Sequence, residues 1–262
     1  CILESDESDG SFLKIPPTYS IVTNIDKEHL DYYKSLEVLK KNFISFIEKT
    51  PSFGKAFICL DDRNNSHVIR EIRNLNYNTY GTSKSSNFKI LNVLQKENYS
   101  KFDIKINLPG TKKNFVINIK IPLIGLHNIR NSTAAAAVAF SVGIPVKIIK
   151  KGLEKFSGVQ RRFTKIFSFQ NVTFFDDYAH HPTEIKAVIN SARQVYKDRK
   201  IICVFQPHRY SRVKFLKNEF ASSFKSSDIV VLCPVYSAGE KVKYNFNQDN
   251  FSKLISKKSK IQ

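Results

Sequence analysis

The chain has 262 residues, of which 42% are hydrophobic, so it is long enough for two ordinary domains with sizeable cores, and a disordered protein is excluded. The formal net charge of +19 would suit a nucleic-acid-binding protein, but the lysines are scattered over surface-like positions and do not mark one binding face. No stretch approaches the roughly 18 uninterrupted apolar residues of a membrane-spanning helix. We therefore expect neither a nucleic-acid nor a membrane partner.

The chain ends suggest missing residues, and the cysteines suggest a reducing compartment. The chain begins at Cys1 and contains no methionine, so we expect residues to be missing before Cys1 and after Gln262. Cys59, Cys203 and Cys233 lie in apolar runs far apart, with no C-x-x-C motif. All four cysteines are therefore predicted to be buried free thiols of a cytoplasmic protein.

The opening segment is strongly acidic, with four carboxylates between Glu4 and Asp9. Carboxylates this close repel one another, so they are either solvated or gathered around a cation. Shortly afterwards His29 lies between Glu28 and Asp31, just past a predicted strand. Oxygen ligands with one imidazole suit Mg²⁺ better than a structural zinc ion. A solvated acidic loop remains the alternative to a magnesium site.

The next part of the chain predicts a mostly parallel sheet with an antiparallel edge. Apolar spacing predicts a helix over residues 35–49, a strand at 56–60, a helix ending near Asn74 and a strand at 77–80. Alternation with a period of two then predicts three antiparallel strands, around residues 88–90, 102–106 and 115–119. These elements together predict one α/β domain.

After this sheet, Gly125 leads into an alanine-rich helix predicted over residues 132–141. His127, Asn128 and Asn131 stand at its start, and the two asparagines share one face of a helical turn. Asn amides can pair with a nucleobase edge, and an imidazole can lie against its face. Asn128 alone could equally cap the helix.

A second helix, over residues 146–156, leads to a predicted domain joint, where Arg161 and Arg162 follow Gly158. Two adjacent arginines can hold phosphate oxygens bidentately, although pairing with surface acids is the ordinary explanation. A hairpin is predicted around Gln170 and Asn171, between strands at 165–169 and 172–175, and we expect its second strand to be buried.

The densest polar cluster follows this hairpin, between Asp176 and Glu184. Two acids, a phenol and two imidazoles crowd a strand-to-helix turn, and Pro182 fits the first position of the helix. Ligands in open α/β sheets bind at such strand ends. The alternative is that Asp177 or Thr183 only caps the helix.

Two further strands, at residues 200–205 and 228–233, also end in polar clusters, at 206–212 and 236–240. Three successive strand ends of this kind predict one crevice of a doubly wound sheet. The sequence holds neither GxGxxG nor GxxxxGK[ST], so it contains no dinucleotide fingerprint and no phosphate-binding P-loop.

Taken together and in order, six motifs resemble those of the Mur ligase family. They are Glu4-x-Asp6-Glu7-Ser8-Asp9, Thr23-Asn24-Ile25-x-x-x-His29-x-Asp31, Gly125-x-His127-Asn128-x-x-Asn131, Arg161-Arg162-Phe163, Asp176 to Glu184 and Phe205 to Arg212. The resemblance implies a central ATP-binding domain over residues 1–160 and a Rossmann-like, doubly wound, amino-acid-binding domain over residues 161–262. Both are expected to be partial, because the family's P-loop and UDP-binding domain would lie before Cys1.

The resemblance also implies an activity, the ATP-dependent ligation of L-alanine to UDP-N-acetylmuramate through an acyl phosphate during peptidoglycan synthesis. The segment from Gln206 to Arg212 resembles the alanine-adding members of the family. A ligase that recycles a muropeptide tripeptide is the nearest alternative. An inactive homologue that acts as a binding protein is the alternative from another class.

Individual roles follow from the same resemblance. Glu4 and His29 are implied as Mg²⁺ ligands, and ATP is implied to contact His127, Asn128, Asn131, Arg162 and Asp177. The amino acid and the acyl phosphate are implied to lie against Tyr178, His180, His181, His208, Arg209 and Arg212, with His180, His181, His208 and Arg209 as catalytic residues. We expect a monomer or weak homodimer, and no ATP turnover from these 262 residues alone.

Overall fold

The computed structural model describes residues 1–73, 76–110, 115–240 and 246–261, with the backbone alone for residues 30 and 31. The chain forms two compact units. The amino-terminal unit comprises Cys1–Leu94, Ser100–Ile121 and Asn128–Phe156, and the carboxyl-terminal unit comprises Gln95–Tyr99, Pro122–His127 and Ser157–Gln262.

The amino-terminal unit is built on a six-stranded sheet in the order β1-β2-β3-β4-β5-β6. Its strands are β1 (Tyr19–Val22), β2 (Lys55–Cys59), β3 (Tyr77–Gly81), β4 (Phe88–Lys96), β5 (Tyr99–Ile106) and β6 (Phe115–Ile121). Strands β1 to β4 pair in parallel, and β5 pairs antiparallel with β6. The predicted α/β class, with a mostly parallel sheet and an antiparallel edge, is confirmed.

Helices cover this sheet, and their ends follow local capping chemistry. They are α1 (Leu30–Tyr33), α2 (Leu36–Glu48), α3 (Arg63–Glu71), α4 (Leu126–Ser141) and α5 (Val146–Lys155), with a 3-10 turn at Ser11–Lys14. The Ser35 side chain caps α2 and the Asp62 side chain caps α3, each accepting a backbone N–H of the first turn. The apolar face of α2 buries Leu39 and Ile47 in the core.

Two helix boundaries differ by more than one residue from those predicted. Helix α3 ends at Glu71, earlier than expected, and the predicted end near Asn74 lies outside the described residues. Helix α4 begins at Leu126, directly after Gly125 turns the chain with a φ of 99°. Asn128 therefore lies inside the first turn of α4, so the alternative that it caps this helix is wrong.

In the carboxyl-terminal unit, β7 (Thr164–Phe169) and β8 (Val172–Asp176) form the predicted hairpin. Gln170 and Asn171 make its two-residue turn with φ values of 42° and 65°. Positive φ at both positions matches the right-handed twist of the strands, which explains why this hairpin is visible in the sequence.

The rest of this unit packs helices on a parallel pair of strands, β9 (Ile202–Phe205) and β10 (Ile229–Leu232). The helices are α6 (Pro182–Val195), α7 (Tyr210–Phe215), α8 (Lys217–Ala221) and α9 (Gln248–Ser259). The core is formed mainly by Ile185, Ile189, Phe205, Val213, Phe220, Phe224, Phe251 and Ile255.

Strand β8 is not buried as predicted, since Val172 is 52% exposed and Phe174 is 44% exposed. Among the described residues, β8 pairs with β7, while β9 and β10 form a separate sheet, so the expected single doubly wound sheet is not continuous here. A two-stranded ladder leaves a face uncovered, and an apolar sequence cannot reveal which face another element will cover.

The four cysteines are free, but Cys59 alone is fully buried, whereas Cys203 and Cys233 are partly buried and Cys1 is exposed. Burial raises the pKa of the Cys203 thiol to about 11. Among the described helices, none combines the length and the apolar character needed to cross a bilayer.

Candidate functional site

The turn from Asp176 to Glu184 is fixed first by Asp177, whose carboxylate accepts the backbone N–H groups of Phe163 and Ala179, each at 2.7 Å. These bonds tie the residues before β7 to the residues after β8. Burial raises the pKa of Asp177, and the two N–H groups offset only part of that effect. Asp177 therefore fastens the turn and does not cap helix α6.

The cap of helix α6 is His181, which is only 5% exposed. Its Nδ1 accepts the N–H of Thr183 at 3.4 Å, and the Glu184 side chain accepts the N–H of His181 at 3.2 Å. This is a reciprocal capping box, with Pro182 at the first helical position as predicted. The alternative that Asp177 or Thr183 provides the cap is thus corrected to His181.

Glu184 also links this turn to Arg162. Its carboxylate accepts the His180 N–H at 3.0 Å and the Arg162 Nη1–H at 3.2 Å, and lies 3.6 Å from His180 Nδ1. Burial alone would raise the pKa of Glu184. The His180 N–H, the nearby imidazole of His180 and the Arg162 hydrogen bond outweigh burial, so the pKa of Glu184 is lowered and the carboxylate is ionised at neutral pH.

Arg161 and Tyr178 make a further set of contacts at this turn. The Tyr178 N–H donates to the Arg161 carbonyl at 2.8 Å, and the Arg161 guanidinium lies 4.6 Å from the centre of the Tyr178 ring. Arg161 also pairs with Asp176 at 3.5 Å. These contacts hold one face of the phenol ring beside a positive charge, while the ring remains 46% exposed.

Beside this turn lies the cluster that follows β9. The ring centres of His180 and His208 are 6.0 Å apart, and those of His208 and Tyr236 are 5.4 Å apart. Arg212 Nη1 lies 3.3 Å from His208 Nδ1, and because a guanidinium can only donate, that nitrogen carries no proton. Burial, and then the charge of Arg212, lower the pKa of His208, so its ring is neutral at neutral pH.

The loops after β9 and β10 are fastened to each other by backbone contacts. The Arg209 N–H donates to the Tyr236 carbonyl at 2.8 Å, and Arg209 adopts a φ of 68° before helix α7. Ser211 donates its N–H to Glu240 at 3.2 Å. The structure thus places His208 and Arg212 near His180 within one unit. Such a cluster of arginines, imidazoles and phenols can bind oxyanions.

The amino-terminal unit holds a different group, formed by Glu7, Glu28 and His29, whose ligand atoms all lie within 4.8 Å of one another. His29 Nε2 is 3.8 Å from Glu7 Oε1. Two carboxylates and an imidazole fit a hard divalent cation. Glu4, which the family resemblance implies as a ligand, is exposed and does not belong to this group. The side chain of Asp31 lies outside the described part of the chain.

Within the acidic segment the carboxylates have local partners. Asp6 accepts the Ser8 N–H at 2.7 Å and Asp9 accepts the Ser11 N–H at 2.9 Å, and hydrogen bonds from these serines lower the pKa of each aspartate. The Tyr33 hydroxyl donates to the Glu7 carbonyl, and burial raises the pKa of Tyr33 to about 12, so it stays a donor.

Helix α4 carries the residues predicted to contact adenine. His127, Asn128 and Asn131 all lie within its first two turns, and Asn131 is exposed. A Cβ at Gly125 would lie 2.5 Å from the His127 ring, so this glycine makes room for the imidazole. The geometry is compatible with a nucleobase contact, which stays a prediction.

Sequence reasoning missed a partly buried ion pair that involves Arg130, in the same part of helix α4. Arg130 Nε donates to Asp61 Oδ2 at 2.6 Å, and the Asp61 side chain is only 5% exposed. Asp61 also accepts the N–H groups of Thr82 at 2.8 Å and Ser83 at 3.1 Å. Burial would raise the pKa of Asp61, but the Thr82 N–H and Arg130 outweigh it and lower the pKa. The sequence signal that could have revealed this pair is an aspartate, Asp61, directly after the strand predicted at 56–60.

The chain matches known family descriptions along most of its length. The Mur ligase middle domain matches residues 1–139, and the domain described as Mur ligase, glutamate ligase domain matches residues 161–258.

Individual relatives agree with this match. The chain is 59% identical over its whole length to the UDP-N-acetylmuramate--L-alanine ligase of Pelagibacter ubique, of which it covers 56%. It is 42% identical to the enzyme of that name from Brachyspira hyodysenteriae, over 91% of this chain and 51% of that protein.

The fold of the chain also matches a solved structure. The crystal structure of UDP-N-acetylmuramate-alanine ligase from Thermotoga maritima matches with a TM-score of 0.73 and 27% identity, covering 97% of this chain and 52% of that chain. This chain therefore spans about half the length of the relatives that it matches. From its sequence and its fold, the chain belongs to the Mur ligase family.

Proposed function

We propose that this chain acts in an ATP-dependent amide ligase that joins L-alanine to UDP-N-acetylmuramate during peptidoglycan precursor synthesis. The observation that carries this proposal is the 59% identity, over the whole chain, to a ligase of that name. We further propose that residues 1–160 belong to the ATP-binding domain and that residues 161–262 belong to the domain that receives the amino acid.

The reaction sets defined chemical demands. A carboxylate oxygen of UDP-N-acetylmuramate bonds to the γ-phosphorus of ATP and ADP departs, which leaves an acyl phosphate. The amine of L-alanine then attacks the acyl carbon, phosphate leaves with that oxygen, and the amine gives up a proton. A site for this reaction needs fixed positive charge for the oxyanions and a base near the amine.

Arginine residues of the carboxyl-terminal unit supply the positive charge. Arg212, held at 3.3 Å from the neutral His208, and the exposed Arg209 are assigned to the carboxylate of L-alanine. Arg162, paired with Glu184, is assigned to the nucleotide phosphates. The Tyr178 ring, stacked with Arg161, would form the wall beside the amino acid.

His180 is the residue best placed to take the proton. Its Nδ1 lies 3.0 Å from the Tyr178 carbonyl, which can only accept, so Nδ1 carries the hydrogen and Nε2 of the neutral ring has the lone pair. His181 is buried and caps helix α6. We therefore assign His181 a positioning role instead of the catalytic role implied by the resemblance.

The remaining contacts belong to the nucleotide and its metal ion. Glu7, Glu28 and His29 would hold Mg²⁺, which would neutralise phosphate charge when bound. His127, Asn128 and Asn131 are assigned to adenine, and Asp177 to a ribose hydroxyl. Asp177 already accepts two N–H groups, which leaves further lone pairs on its oxygens for that hydroxyl.

An oxygen-transfer assay tests the proposal. The complete natural polypeptide that carries this chain is incubated with ATP, Mg²⁺, L-alanine and UDP-N-acetylmuramate whose carboxylate is labelled with ¹⁸O. We expect ADP release that depends on L-alanine, an alanyl amide product, and one ¹⁸O atom in the released phosphate.

Other outcomes separate the alternatives. Ligation of a tripeptide in preference to L-alanine would indicate the recycling ligase, and no ligation of either amine would contradict the proposed activity. Amide formation with no ¹⁸O in phosphate would contradict the acyl-phosphate route.

A further inference from the structure

The two oxygens of Glu184 have different tasks. Oε2 accepts the N–H groups of His180 at 3.0 Å and His181 at 3.2 Å, and it lies 3.6 Å from His180 Nδ1. Oε1 accepts from Arg162 Nη1 at 3.2 Å. One carboxylate therefore touches the backbone of the turn, the imidazole of His180 and the guanidinium of Arg162.

A helix cap needs only the first of these contacts. In any helix, an acidic residue at the third position can accept the free N–H groups at the helix start, whether or not the protein is an enzyme. The contact with Arg162 joins residues 22 positions apart, and it serves no capping purpose. The same carboxylate faces the positive charge that arises when His180 Nε2 accepts a proton.

We propose that Glu184 is a positioning residue that holds Arg162 at the nucleotide phosphates and His180 at the amine in one fixed arrangement. This inference rests on the function proposed above. Because both groups share one carboxylate, a nucleotide that orders Arg162 also orders Glu184 and with it His180. Phosphoryl transfer and proton removal, which are successive steps, thus both depend on the Glu184 carboxylate.

Two substitutions separate this role from capping. Glu184→Gln keeps a carbonyl oxygen that can accept the two backbone N–H groups but removes the charge shared with Arg162 and His180. Glu184→Ala removes both. Glu154→Gln is the matched control, because Glu154 is a helical glutamate whose ion pair with Lys120 is exposed and 3.9 Å long.

Steady-state kinetics of the complete natural polypeptide give the first readout. For Glu184→Gln we expect KM for ATP to rise and kcat to fall, each about tenfold, as for the loss of a charged hydrogen bond. KM for UDP-N-acetylmuramate and the melting temperature should stay close to wild type. Arg162→Ala should then have a smaller effect on KM for ATP when it is combined with Glu184→Gln than when it is made in the wild type.

Nuclear magnetic resonance of the same proteins, labelled with ¹⁵N at arginine and histidine, gives a readout that does not require activity. Glu184→Gln should shift both the Arg162 side-chain signals and the His180 ring signals, whereas Glu154→Gln should shift neither. An inactive wild type would contradict the proposed function, while these signal shifts would still test whether Glu184 holds both Arg162 and His180.

Two results would overturn the proposal. One is unchanged Arg162 signals and unchanged KM for ATP in Glu184→Gln. The other is an equal loss of melting temperature and of kcat in the Gln and Ala variants with both KM values unchanged, which would make Glu184 only a helix cap.

Discussion

The acidic segment from Glu4 to Asp9 and the turn from Asp176 to Glu184 are both crowded with titratable groups, but they are organised differently. In the turn, Asp177 and Glu184 each accept two backbone N–H groups, and Glu184 also pairs with Arg162. In the acidic segment, Asp6 and Asp9 each accept a neighbouring serine N–H, and the Glu7 carboxylate lies 3.8 Å from His29.

The two regions differ in what offsets the charge of their carboxylates, which is internal hydrogen bonding in the turn and would be a bound cation in the acidic segment. The turn is held in place by its own hydrogen bonds, so its geometry is preorganised for binding. The acidic segment concentrates negative charge and relies on local contacts, and a divalent cation would remove the repulsion among its carboxylates. Three experiments can sharpen or break this comparison, and a fourth tests an anchored carboxylate elsewhere in the amino-terminal unit.

The largest effect is expected from Asp177→Ala, because it leaves the Phe163 and Ala179 N–H groups without their carboxylate. Loss of charged hydrogen bonds worth about 1.5–3 kcal/mol each should speed hydrogen exchange of these two amides by roughly 10- to 100-fold. Asp9→Ala is the control, and its effect on the Ser11 amide should stay within about threefold. Similar effects of the two variants would break the comparison.

Arg212→Ala tests whether the turn and its neighbours receive the amino acid. Removal of one charged contact to a carboxylate should raise KM for L-alanine by about 10- to 100-fold. KM for ATP should change little, as steady-state kinetics would measure. Arg70→Ala, on the exposed face of α3, is the control. An equal rise of both KM values would assign Arg212 to both substrates and blur the division of roles.

The acidic segment should respond to metal instead. Mn²⁺ binding, followed by paramagnetic relaxation, should weaken by at least about tenfold in Glu7→Gln and in His29→Ala, because each removes a ligand. Glu4→Gln should have a smaller effect, since Glu4 lies outside the group formed by Glu7, Glu28 and His29. A larger loss in Glu4→Gln would favour the ligand implied by the resemblance over the one that the structure places near His29.

The smallest effect concerns pH and Asp61, a well-anchored carboxylate in the amino-terminal unit. Its pKa is lower in the folded chain than its ordinary value of 3.8. Its contribution to stability is therefore present above pH 3.8 and lost as pH falls through the folded pKa. The urea midpoint of Asp61→Asn should fall less steeply than that of wild type below that pH. Parallel pH profiles would show that Arg130 and Thr82 do not stabilise the ionised form.

Local features of the chain were predictable because neighbouring residues decide them. The Gln170-Asn171 turn and the Pro182 start of α6 follow from backbone preferences within a few residues. The start of α4, predicted at residue 132 and observed at Leu126, was misplaced, because polar residues such as Asn128 and Asn131 favour turns and caps as well as helix interiors.

The candidate site was predictable in part. Tyr178, His180, His208 and Arg212 were singled out from two motifs, and within the carboxyl-terminal unit the rings of His180 and His208 come within 6.0 Å. Which imidazole caps a helix and which faces the cluster was not predictable from the adjacent pair His180-His181. The side-chain directions of these neighbours depend on where helix α6 begins.

By itself the sequence determined the α/β class, the hairpin, the helix faces and the types of residue available for chemistry, because periodicity and turn preferences are local. Tertiary structure alone decided the exposure of β8, the Asp61–Arg130 pair across 69 residues, the choice of Glu7 beside His29 and the link from Glu184 to Arg162. Each of these depends on which distant segments pack together, and burial and pairing are properties of that packing.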